Sequence, residues 1–168
     1  MYPYPTVDTV EYDPTEAYRN YDWYIRRVRT ATQPAPLCFG PKQPNQRDIR
    51  LSELVYWHRR LGEYRWPNRR QLDRMNQWLQ RLDIYGCWNG INGRPIEPNL
   101  RLRTKTPFEF SFFHEFWRRH TYIDQYYMEQ YRYRVALPDS PLVSVRTEDL
   151  ERRKERFPME VVWIRINV

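Results

Sequence analysis

A chain of 168 residues with a net charge of +7 is long enough for one domain with extended arms, and its charge favours acidic partners: protein, nucleic acid or anionic lipid. No run of about 18 apolar residues occurs, which excludes a transmembrane helix, and two cysteines are too few for a disulfide scaffold. The 37 Leu, Ile, Val and Phe residues are few for a dry core, whereas 14 Tyr and 7 Trp carry rings with polar tips that suit half-buried contact surfaces.

Residues 1–12 read as an extended N-terminal arm. Tyr2-Pro3-Tyr4-Pro5 holds the backbone near polyproline II and sets its rings off from it. This stretch lacks the basic and apolar regions of a secretory signal and is Arg-free, unlike a transit peptide, so no cleaved presequence is expected. Residues 13–158 read as a helical domain with Pro-rich connections. Asp13-Pro14-Thr15-Glu16 is a cap, proline and acid signature that starts a helix over 14–29. Residues 30–47 are a proline-punctuated connection. Leu51, Leu54, Val55, His58 and Leu61 mark a second helix, ended at Gly62 or Pro67. Leu72, Met75, Leu79 and Leu82 mark a third, with Gly86 as its C-cap, and the two are expected to pack as an antiparallel hairpin.

Residues 86–105 read as a loop in which Asn89-Gly90 and Asn92-Gly93 are tight turns. Thr106-Pro107-Phe108-Glu109 repeats the cap, proline and acid signature, so an aromatic helix is expected from there to about Tyr133. A Pro-broken stretch over 136–144 leads to a short charged helix from Glu148 to Arg156. Residues 159–168 alternate β-branched and polar residues and read as a C-terminal strand with no obvious mate. The expected fold class is therefore mainly α: a small irregular domain of about four helices with an extended arm and one short strand.

No enzyme motif is present. The segment HEFWRRH spaces His114 and His120 six residues apart, not the four that put two ligands on one helical face. Gly86, Gly90 and Gly93 have neither the spacing of a dinucleotide loop nor the Lys-Ser/Thr of a phosphate loop. Cys38 lies among Pro and Leu, with no polar neighbour to lower its pKa. Cys38 and Cys87 suffice for one bridge in an oxidising compartment, and two buried thiols are the alternative. No catalytic, cofactor or metal residues are expected.

The aromatic segment poses a problem as a helix. Phe112, Phe116, Ile123, Tyr127 and Tyr131 form one stripe, but Phe110, Phe113, Trp117, Tyr122, Tyr126 and Tyr133 fall on other faces. Rings on several faces imply contact on several faces, so these six are candidate partner contacts. Tyr2 and Tyr4 in the arm, and Val162, Ile164 and Ile166 in the unmated strand, are expected to be ordered by other chains.

The basic residues are 25 Arg against 3 Lys, a choice that suits bidentate grips on carboxylates and phosphates, although a GC-rich genome produces the same bias. In this style the chain is similar to supernumerary subunits of mitochondrial respiratory complexes and ATP synthases, which are small, basic, Tyr/Arg/Trp-rich and lack an active site. That likeness implies a non-catalytic accessory subunit, peripheral to the mitochondrial inner membrane, whose partners are several protein subunits and an anionic lipid such as cardiolipin. The alternative is a mitochondrial ribosomal or other RNA-binding protein, with Arg69-Arg70, Arg101 to Lys105 and Arg118-Arg119 on phosphates and rings on bases.

Overall fold

The structure, a computed structural model, describes residues 40–58, 69–136, 140–146 and 155–167. The arm with Tyr2 and Tyr4, the helix expected over 14–29, Cys38 and residues 147–154 of the expected charged helix lie outside the described residues.

The expected mainly α fold is not what forms. The described residues carry more strand than helix, with three antiparallel sheets. In chain order they are β1 (Gln46–Arg50), α1 (Leu51–His58), α2 (Arg69–Arg81), β2 (Ile84–Asn89), β3 (Leu100–Leu102), β4 (Ser111–His114), β5 (Arg119–Tyr122), α3 (Ile123–Tyr131), β6 (Leu142–Val145), β7 (Phe157–Pro158), a 3-10 turn (Met159–Val161) and β8 (Val162–Asn167). The first sheet has the order β1-β8-β2, the second β3-β6-β7, and the third is the β4-β5 hairpin.

The C-terminal strand therefore has two mates in its own chain. β8 runs antiparallel to β1, with Ile49 opposite Ile164, and antiparallel to β2, with Cys87 opposite Ile164. Its burial explains its composition: Val162 and Ile164 are fully buried, as a β-branched strand at the centre of a sheet should be. Polar residues on this sheet are paired across strands. Arg165 Nε donates to Asp48 Oδ1 at 2.8 Å and its Nη2 to Asp48 Oδ2 at 3.3 Å, between residues in direct register. Arg50, Trp163 and Trp88 stack across all three strands, with the guanidinium 4.6 Å from the Trp163 ring and the two indoles 6.0 Å apart at 13°.

α1 packs on the 3-10 turn and on β8, and α2 packs on β3. Their main packing is thus against strands, not against each other as a helical hairpin. One core joins Leu51, Leu54 and Val55 of α1, Leu72, Met75 and Leu79 of α2, and the inward residues of the first two sheets. Within it the Asn76 amide behaves like a strand neighbour, because Nδ2 donates to the Leu102 carbonyl at 3.0 Å while Leu102 N donates to Oδ1 at 2.7 Å. Buried Glu160 accepts from Tyr133 Oη and from Ala136 N, which ties the chain after α3 to the 3-10 turn.

The loop expected over 86–105 contains most of β2 and all of β3. The aromatic helix expected from Thr106 to Tyr133 is instead one turn, a β-hairpin and a nine-residue helix. The Thr106 signature closes only that turn: Thr106 Oγ1 donates to Glu109 Oε1, and the amides of Glu109 and Phe110 both donate to the Thr106 carbonyl.

Candidate functional site

The aromatic residues resolve into two periods. In β4, Phe112 and His114 turn inward while Ser111 and Phe113 face out, the alternation of a strand. The hairpin is closed locally. Trp117 N donates to His114 Nδ1 at 3.0 Å, the two rings stack at 4.0 Å, and Arg118 takes the left-handed conformation at φ 51°. α3 then begins without a conventional polar cap, since the amides of Ile123 and Asp124 donate to the carbonyls of Phe110 and Pro107. It ends on Arg132 at φ 55°, with Tyr133 N reaching back to the Tyr127 carbonyl.

Tyr126 is the centre of the ring cluster. It meets Phe112 at 5.4 Å, Tyr127 at 5.6 Å and Tyr131 at 5.9 Å, each edge to face, and lies 5.8 Å from Trp117. The turn after β2 holds this cluster from the other side. Asn89 Nδ2 donates to Tyr127 Oη at 2.9 Å and Asn92 Nδ2 to Tyr131 Oη at 3.2 Å. Each asparagine also uses its Oδ1, to accept from Ile91 N and Arg94 N respectively, so both amides are fixed by their own turn.

Between these elements lies a cleft of about 540 Å³. Phe112, Phe113, Tyr126, Tyr131 and Phe157 supply its rings, and Arg94, Arg156, Glu115 and Glu155 its charges. Burial first, then the hydrogen bond to Tyr131, pushes the Tyr126 phenol up to about 12, against a smaller opposing pull from Arg94. Burial pushes Tyr127 higher still. Both are neutral donors and acceptors at physiological pH. Arg156 lies over the Phe110 ring at 5.3 Å, and burial with the neighbouring Arg103 charge lowers its pKa.

Beyond the cleft, the hairpin presents rings to water. Phe116 is 90% exposed and Tyr122 43%, and Phe108, just before the hairpin, 65%.

Of the residues singled out from sequence, Trp117 and Tyr126 meet at 5.8 Å, Phe113 and Tyr122 are exposed on the hairpin, and half-buried Phe110 lies under the Arg156 guanidinium. Tyr133 is buried on Glu160, and Val162 and Ile164 are in the chain's own core, so these three offer no surface to a partner. Ile166 is half-buried on β8, opposite Arg47 and Ile84. Cys87 is a free, buried thiol opposite Ile164, and burial raises its pKa; Cys38 lies outside the described residues. Sequence reasoning passed over Asn89 and Asn92 as residues that hold rings, and Arg94 as a cleft residue. Only the Asn-Gly turn signals pointed there.

Among the described residues no three His, Cys, Asp or Glu gather as metal ligands would, and no helix is long and apolar enough to cross a membrane. No protein-family model matches the chain, and no curated protein matches it.

Proposed function

We propose that this protein is a non-catalytic accessory subunit of a larger assembly, docked to an acidic partner chain through the β4-β5 hairpin. The supporting observation is the near-complete exposure of Phe116 at the hairpin turn, beside exposed Arg118. Full burial of such a ring contributes about 1.5–3 kcal/mol, so a turn that holds it in water is poised for an interface. The +7 net charge steers the partner's character toward acidic surfaces.

The test compares the wild type with Phe116→Ser in native extracts. Phe116 contributes little to the fold, so its replacement is expected to shift stability by no more than about 0.5 kcal/mol. The wild type is expected to migrate within a large particle and the variant to leave it. A wild-type chain that migrates as a monomer, or a variant that stays in the particle, defeats this reading. The composition of that particle identifies the assembly.

A further inference from the structure

The cleft between the hairpin, α3 and the turn after β2 is distinct from the exposed hairpin tip, and its chemistry is not that of an apolar groove. Its volume of about 540 Å³ falls within the range of roughly 300–1,000 Å³ typical of small-molecule sites. We propose that it binds one phosphorylated nucleoside unit, with the base on the Phe113 ring and the phosphate on Arg94.

Three features carry this assignment. The first is an open ring face. Phe113 lines the cleft, is half exposed, and meets His120 edge to face at 5.6 Å, a contact that covers one part of the ring only. Aromatic faces accept any base, because every base has a π-face. The second is an available guanidinium. Arg94 is exposed, lines the cleft, has no carboxylate partner among the described residues, and stands close enough to Tyr126 for its charge to act on the phenol. A guanidinium on a phosphate forms two parallel hydrogen bonds, which fixes the group's orientation. Arg156 also lines the cleft and adds positive charge to it.

The third feature limits the size of the ligand. Glu115 and Glu155 also line the cleft, which gives it two positive and two negative side chains. A strand of phosphates threaded along it would meet the Glu115 carboxylate. A single phosphate on Arg94 avoids it and leaves Glu115 as an acceptor for sugar hydroxyls or base N–H groups. Asn89 and Asn92 play no direct part, since their amides are already used on Tyr127 and Tyr131. They position the tyrosine wall.

The experiment is calorimetric titration of the purified full-length chain with AMP, GMP, CMP and UMP. Saturable binding with a dissociation constant of about 1 mM or tighter is expected for at least one of them. Adenosine, without the phosphate, should bind about tenfold more weakly than AMP, and Arg94→Gln should erase most of that difference. Phe113→Ala should weaken every nucleotide about tenfold through lost stacking. Both positions are exposed, and unchanged far-ultraviolet dichroism confirms that the variants fold. A 5′-phosphorylated oligonucleotide separates the sources of the ligand: tighter binding than AMP places a strand end in the cleft, and equal binding a free nucleotide. No saturation by any nucleotide, nucleoside and nucleotide bound alike, indifference to both variants, or choline bound more tightly than AMP would each overturn the proposal, the last because it makes the cleft a cation cage.

Discussion

Gly90 shows how a residue can be read correctly by its neighbours and still be misunderstood. Asn89-Gly90 is a turn signal in the sequence, and a turn forms there. The reason for glycine, however, lies seventy residues away in the chain. A Cβ at position 90 would stand 2.8 Å from Cδ1 and Nε1 of Trp163, closer than side chains tolerate. Trp163 cannot withdraw, because it is held between the Arg50 guanidinium and the Trp88 ring. Gly90 N also donates to the Val161 carbonyl at 2.7 Å, which pins the two strands together at that point. Gly90→Ala should therefore cost about 1–3 kcal/mol by overpacking alone, without any change of backbone class. Chemical denaturation measures this. A variant as stable as the wild type would show that the tryptophan stack yields.

At the scale of elements, Asn76 joins α2 to β3 through two buried backbone groups of Leu102. Asn76→Ala leaves an amide and a carbonyl without partners, each costing about 1–3 kcal/mol, so a total loss of about 2–6 kcal/mol is expected. A loss under about 0.5 kcal/mol would mean that water replaces the side chain. α2 itself is legible in the sequence, because Leu72, Met75 and Leu79 recur at helical spacing and all three are buried. So is the start of α1 at Leu51. The aromatic segment is not, for a physical reason. Thr106-Pro107-Phe108-Glu109 supports one turn equally well whether or not a helix follows, and the rings after it obey a two-residue period through β4 and a helical period only from Ile123. Forced onto one helix, they spread over several faces. β8 is legible as a strand, but its mates are not. Gln46–Arg50 has one aliphatic residue, and Ile84–Asn89 is interrupted by Gly86 and a register shift. The cleft is the least legible feature, because its lining comes from four separate segments that only tertiary packing brings together.

On the scale of the whole molecule, the unequal support of the sheets sets the order in which they open. β8 is hydrogen-bonded on both sides, by β1 and β2, and its residues Val162 to Arg165 are all buried. The β4-β5 hairpin has two strands only, and most of its residues are half-buried or exposed. A two-stranded hairpin is marginal in water, and this one leans on α3 through Phe112 and Tyr126. Local opening of the hairpin thus exposes rings that are already half wet, whereas opening β8 dismantles the first sheet and the α1 contact together. In native-state hydrogen exchange the amides of β1, β2 and β8 should exchange with one common free energy, that of global unfolding. The β4-β5 amides should exchange at least about tenfold faster, through a smaller opening. Addition of a ligand that fills the cleft should slow the hairpin, since Phe112 and Phe113 line it, and leave the slowest β8 amides ahead by the binding free energy alone. Hairpin amides as protected as those of β8 in the free chain would show that the molecule opens only as a unit, and that the hairpin is as much a part of the core as the sheet beside it.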